Sequence, residues 1–175
     1  MAARAGVTTI EHGGIPSDEA LDAMKKHNTI FVPTISVYDQ EMRRDSNYSE
    51  SAERDFQQIV MHTKAAYDKG IKLACGGDTG AFAHGENARE LEFMLSAGVP
   101  LLDVLQAATL HGFESCGGDL CGRRFGSIEE GYAADIVALD GDLFQDVGAL
   151  RRVAFVMKDG QVYKSNSLTR KSKST

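Results

Sequence analysis

Apolar positions along residues 51–70 recur on a helical period. Phe56, Ile59, Val60, Thr63 and Tyr67 fall at i, i+3, i+4, i+7 and i+11, one face of a helix that Gly70 stops. Residues 16–28, "PSDEALDAMKKHN", read as a second helix: Ser17 is placed to cap it, acids open it and lysines close it. "ENARELEFMLSAG" (86–98) predicts a third, ending at Gly98, and "PLLDVLQAATLHGF" (100–113) a fourth, with Pro100 in its first turn. Between these lie short, mostly apolar runs: "GVTTIEHGG" (6–14), "TIFVPTISV" (29–37) and "IKLACGG" (71–77). Each has the length and bounding residues of a strand. Pro33 cannot donate to a ladder, which puts it near the end of its strand or at a bulge. Strand followed by helix, three times, predicts a parallel sheet with right-handed crossovers and helices packed outside.

Beyond Gly122 the pattern changes. "GSIEEGYAADIVALDGD" and "RRVAFVMKDGQVY" alternate short β-like runs with turn glycines at 126, 131, 141 and 160, and "KDGQV" is a hairpin signal. An all-β portion over 123–164 is expected, with a boundary near 115–125. Composition adds little: 42% hydrophobic and 25% charged residues over 175 positions are ordinary for a globular domain with a small appendage. Charge narrows the partners. A net −6 favours no nucleic acid, and the one basic cluster, Lys164, Arg170, Lys171 and Lys173 among Ser, Thr and Asn in the last dozen residues, belongs to a tail, 165–175 beyond Lys164, expected to be disordered. No apolar run approaches the ~20 residues of a membrane helix, and the opening "MAARAGVTTI" lacks the apolar stretch of a signal peptide. Cys75, Cys116 and Cys121 are odd in number and form no CxxC pair, against a disulfide framework. Cys116 and Cys121 as half a zinc site lack a second pair. Reduced thiols and a cytoplasmic location are the expectation.

Ligands of parallel α/β folds bind at the carboxyl ends of strands. Two polar clusters sit there: Glu11-His12-Gly13-Gly14 and Gly76-Gly77-Asp78-Thr79-Gly80, with His84 six residues after the acid. A histidine and a carboxylate on one rim suit a divalent metal, or a base and its orienting acid, and the glycines leave room for sharp turns and a substrate. Structural readings stand beside these: His12 as a hydrogen-bonded strand end, Asp78 as a cap for the next helix, and His84 as a loop residue. His27 and His62 fall on helices as solvated or terminal residues, and His111 as a packing residue. "GGDTG" lacks the ending of a phosphate loop, and neither GxGxxG nor GxSxG occurs.

Six segments in order carry a resemblance: "AGVTTIEHGG", "FVPTIS", "GGDTGAFAHGENARELEFMLSAGVP", "LQAATLHGFE", "GSIEEGYAADIVALDGD" and "VMKDGQVY". The series resembles the carboxyl-terminal part of the amidohydrolase superfamily, in the branch of imidazolonepropionase-like and Xaa-Pro dipeptidase-like enzymes. It covers all but the tail. The resemblance implies an α/β fold in which residues 1–122 form the last three βα units of a TIM-type (β/α)8 barrel. Residues 123–164 would form part of a small β-sandwich. It implies His12 as a metal ligand at the sixth strand, Asp78 at the eighth as catalytic proton carrier and metal ligand, and His84 as a substrate contact. The implied cofactor is a divalent metal, zinc foremost, and the implied substrate a small amide or dipeptide-like molecule. The complete enzyme is compatible with a homo-oligomer.

The HxH pair of the family's first strand does not occur, and the residues of its fourth and fifth strands would lie before residue 1. His111 stands where the family commonly carries Asn. His12 and Asp78 alone are fewer than the three protein ligands of a catalytic zinc. An incomplete barrel is therefore expected: a fragment inactive alone, with two unpaired sheet edges. The other readings are a non-catalytic partner protein retaining this part of the fold and a free-standing small hydrolase or binding domain using His12, Asp78 and His84.

Overall fold

The computed structural model describes residues 1–44 and 50–166. The chain divides into two compact units, one over Met1–Gly122 and one from Arg123 onward. The basic tail beyond Asn166 lies outside the described residues. Among the described residues, no helix is long and apolar enough to cross a membrane.

The first unit is built on a parallel pair. Strand β1 (Thr9–Glu11) runs beside β2 (Ile30–Val32), with Thr9 opposite Ile30, Ile10 opposite Phe31 and Glu11 opposite Val32. The expected third strand is an extended segment joined to β2 by one bridge, Phe31 to Leu73. The Phe31 N–H donates to Lys72 O at 2.9 Å, and Ala74 N–H donates to Phe31 O at 3.0 Å. Its far side is not an open edge, contrary to expectation. Leu73 O accepts from His111 Nδ1 at 2.8 Å, and Cys75 N–H donates to Ala107 O at 2.9 Å. The helices after the segment take the hydrogen bonds that a further strand would have used at these positions, which is one way a protein blunts an edge. His111 is thus more than a packing residue.

The helices follow local signals closely where those signals exist. Helix α1 (Asp18–His27) is capped by Ser17, whose hydroxyl accepts from Ala20 N–H, and closed by Asn28 in left-handed conformation. Helix α3 (Glu50–Asp68) buries Ile59, Thr63 and Ala66, and the chain leaves it through Gly70 at φ +71°. Helix α4 (Ala88–Ser96) ends before Gly98 at φ +89°. Its Phe93 ring meets Phe56 of α3 edge-on at 5.4 Å. In the middle of α3, His62 is only half-buried, yet its Nδ1 is buried with no hydrogen-bond partner among the described residues. It is not the solvated residue expected.

Two further expectations need correction. Residues 29–37 are not one strand: β2 ends at Val32, Thr34 turns the chain at φ +57°, and Ile35 already begins helix α2 (Ile35–Arg44). Pro33, with no N–H, stops the ladder there. Residues 100–113 are not one helix: α5 (Leu101–Ala108) and α6 (Leu110–Ser115) break at Thr109, with φ −124° and ψ −89°. The Thr109 hydroxyl bonds back to Leu105 O at 2.7 Å, a contact that competes with helix continuation. The core joins Leu21, Met24, Phe31, Ile35, Ile59, Leu73, Met94 and Val104.

The second unit is one antiparallel sheet, β3 (Ile136–Leu139), β4 (Val153–Lys158) and β5 (Gln161–Ser165), in that order. Strand β5 runs to Ser165, the first residue of the expected tail. Asp159 and Gly160, at φ +51° and +76°, make the β4–β5 turn, matching the twist of a two-residue hairpin. Asp135 ties that turn down: its carboxylate accepts from Asp159 N–H and from Arg123, at 2.8 and 2.6 Å.

Candidate functional site

Three adjacent extended segments leave the sheet at the same end, and each exit carries a non-glycine residue in left-handed backbone. These are His12 after β1 (φ +49°), Thr34 after β2 (φ +57°) and Asp78 after the third segment (φ +55°). A side chain in that region costs on the order of 1–3 kcal/mol, most readily tolerated where surrounding structure enforces it, as at functional sites. The neighbouring glycines are required by close approach. A Cβ on Gly13 would lie 2.4 Å from Phe31 Cε2, and one on Gly76 would lie 2.9 Å from Val32 Cγ1.

The exits bring two of the three sequence-named residues together. His12 Nε2 and Asp78 Oδ2 are 3.8 Å apart, and both side chains are about half exposed. This is too long for a hydrogen bond, and solvent reaches both groups. His84 is elsewhere, in the exposed turn that precedes α4. Among the described residues no hydrogen bond or ion pair connects it to the other two. The loop between is anchored by buried Phe82 and by Asn87 Nδ2, which donates to the Thr79 hydroxyl at 2.9 Å.

The sequence reading missed the charged residues beneath this rim. Glu90 of α4 is fully buried. Its carboxylate accepts from the N–H groups of Ile35 and Ser36, each at 2.8 Å, and from the Ser36 hydroxyl at 2.7 Å. A carboxylate at the start of α2 meets the positive end of the helix dipole. Burial outweighs these bonds and raises the Glu90 pKa above the usual carboxylate value. The preceding residue, Arg89, pairs with buried Asp39 of α2, which Arg43 also holds at 3.0 Å. Helix α4 thus grips α2 at its first turn with an acid and one turn on with a base. One signal was available: Glu90 lies four residues before buried Met94, on the face of α4 that packs inward, where a charge is out of place. Nearby, burial and then the charge of Glu90 push the Cys75 thiol up to about 12.

The model of the Amidohydrolase family matches residues 1–165. The chain belongs to that family. Ochratoxinase from Aspergillus niger is 29% identical over 174 aligned residues, which span 93% of this chain and 35% of that protein. Among solved structures, a Xaa-Pro dipeptidase with methionine bound in its active site is 34% identical. It matches at a TM-score of 0.82, over 94% of this chain and 41% of that one. A putative prolidase from Bifidobacterium longum is 26% identical at a TM-score of 0.77, over 94% of this chain and 44% of that one. The chain therefore has the α/β fold of amidohydrolase structures, and it spans 35% to 44% of the length of these relatives.

The family is generally metal-dependent, so the residues present can be tested as a metal site. One imidazole nitrogen and one carboxylate oxygen 3.8 Å apart can both meet one ion at bond lengths of about 2.0–2.2 Å. They fit as part of a ligand set. Among the described residues no group of three or more His, Cys, Asp or Glu side chains is arranged to hold an ion.

Proposed function

We propose that residues 1–122 are the last three βα units of a (β/α)8 hydrolase barrel, and that the chain holds one side of a site for cleaving amide or peptide-like C–N bonds. The observation that carries this is the approach of His12 and Asp78 at the exits of neighbouring parallel segments in an amidohydrolase-family chain. A divalent metal bound there, zinc foremost, would supply a water acidic enough to attack a carbonyl near neutral pH. His12 offers its Nε2 as a ligand. Asp78 offers one carboxylate oxygen to the ion and is placed to take a proton from the attacking water and return it to the leaving nitrogen. Its half-exposed carboxylate leaves a path to both. His84, in the exposed turn between Asp78 and α4, is assigned a substrate contact. The relatives named Xaa-Pro dipeptidase and prolidase make dipeptides and N-acyl amino acids the first substrates to try. The free cysteines suit a reducing compartment such as the cytoplasm.

With two ligands in hand, the 175 residues alone should hold zinc weakly and turn over no substrate. The test is zinc titration of the purified chain followed at the His12 ring, with hydrolysis assays against dipeptides and N-acyl amino acids. Weak binding that His12→Ala removes, and no turnover, is expected. Tight stoichiometric zinc, or turnover that Asp78→Asn abolishes, would show the site complete and overturn the incomplete-site reading. No zinc response at His12 would overturn the metal reading.

A further inference from the structure

Glu90 touches the exits of two of the three segments that form the rim. Toward β2, its carboxylate holds the first two N–H groups of α2 and the Ser36 hydroxyl. These residues follow Thr34, the left-handed residue at that exit. Toward the third segment, the Glu90 Cβ lies against Gly77: a Cβ built on that glycine would be 3.6 Å from it and 3.1 Å from Phe82 Cζ. Gly77 is bonded directly to Asp78.

A local residue normally caps a helix and costs about 1 kcal/mol to remove. At α2 that position is Thr34, yet its hydroxyl contacts Val32 O, 3.4 Å away, rather than the open N–H groups. The cap comes instead from 54 and 55 residues further along the chain, on the helix that follows the Asp78 loop. A remote cap of this kind links the start of α2 to that loop. Burying a carboxylate for the purpose is costly unless it is fully bonded, and Glu90 is bonded through both oxygens.

We infer that Glu90 is a positioning residue: it fixes the α2 start against the Gly76–Gly77 turn and so sets where Asp78 stands relative to His12. The importance of that placement rests on the proposed function, but the coupling itself does not need metal or substrate to be seen. Glutamine at this position has one oxygen where the carboxylate has two, and its NH2 group would face an N–H. The rim would then have to adjust.

The experiment compares metal-free nuclear magnetic resonance spectra of the chain with those of Glu90→Gln. Tyr67→Phe is the control: it removes the hydrogen bond that the Tyr67 hydroxyl donates to Asp103 elsewhere in the same unit. Glu90→Gln should shift the Ile35 and Ser36 amide signals, and with them the Asp78 carboxyl carbon and the His12 ring. Tyr67→Phe should lower stability while leaving those four in place. Shifts at Ile35 and Ser36 with Asp78 and His12 unmoved would reduce Glu90 to a helix cap and overturn the inference, as would equal shifts in the control. If Glu90→Gln does not fold, Ser36→Ala, which deletes only one of the three bonds, is read by the same criteria. Zinc added to the wild type reports separately. Its failure to affect His12 and Asp78 sinks the metal reading, while the metal-free comparison still decides the role of Glu90.

Discussion

Cys75 sits at the end of the third extended segment, directly before the glycine pair that leads to Asp78, and its backbone N–H is spent on Ala107 O. Burial pushes its thiol up to about 12, with the negative charge of Glu90 adding to the effect. The thiolate is the reactive form, so Cys75 should be inert where ordinary thiols react. Cys116 and Cys121 are both exposed. Iodoacetamide at about pH 8 should therefore add two groups to the native chain, read by intact mass, and a third only after denaturation. Three additions at one rate would mean that the rim around Cys75 opens freely. The same shift has a sign for stability. The folded thiol stays protonated from its ordinary value of 9.0 up to about 12, while the unfolded one ionises. This group therefore withdraws stability as pH rises through that window.

At the scale of elements, the helices that could be read from the sequence are those whose ends are written locally. Helix α1 carries its own cap, so Ser17→Ala should cost about 1 kcal/mol, measured by urea unfolding; an unchanged midpoint would mean that Ser17 does not cap α1 in solution. Gly70 and Gly98 likewise mark the ends of α3 and α4 within one or two residues. Helix α2 carried no such mark. Its first N–H groups are satisfied by Glu90, more than fifty positions away, and the run "TIFVPTISV" looks like strand to any reading confined to neighbours. The covered edge at Leu73 shares this cause: it depends on where His111 and Ala107 end up in space. The site divides the same way. His12 and Asp78 stood out because glycines beside a polar residue at a strand end are a local signal. Glu90 and Asp39, with partners on other elements, became recognisable only through packing.

The two units of the molecule answer acid through carboxylates shifted in opposite directions. In the unit from Arg123 onward, the Asp159 N–H bond, ahead of the attraction of Arg123 and Lys158, lowers the Asp135 pKa, and the Arg152 side-chain bond lowers that of Asp146. Groups with a lowered folded pKa lend stability above their unfolded value, about 4, and lose it as pH falls through the folded one. In the unit over Met1–Gly122, burial raises the Glu90 pKa. The fold then bears the cost of an ionised buried acid at neutral pH, and this cost is relieved as pH drops from the raised value toward the unfolded one. The contribution of Glu90 is taken as a difference between the wild type and its variant. Urea unfolding followed by resonances of each unit at about pH 6, 4.5 and 3 separates the two. The wild type should gain on Glu90→Gln in the first unit between pH 6 and 4.5. It should lose ground to Asp135→Asn in the second only below about pH 4. If both differences run in the same direction with falling pH, the burial of Glu90 or the bonding of Asp135 is wrong. If the units also unfold at one midpoint at every pH, they do not respond as separate bodies.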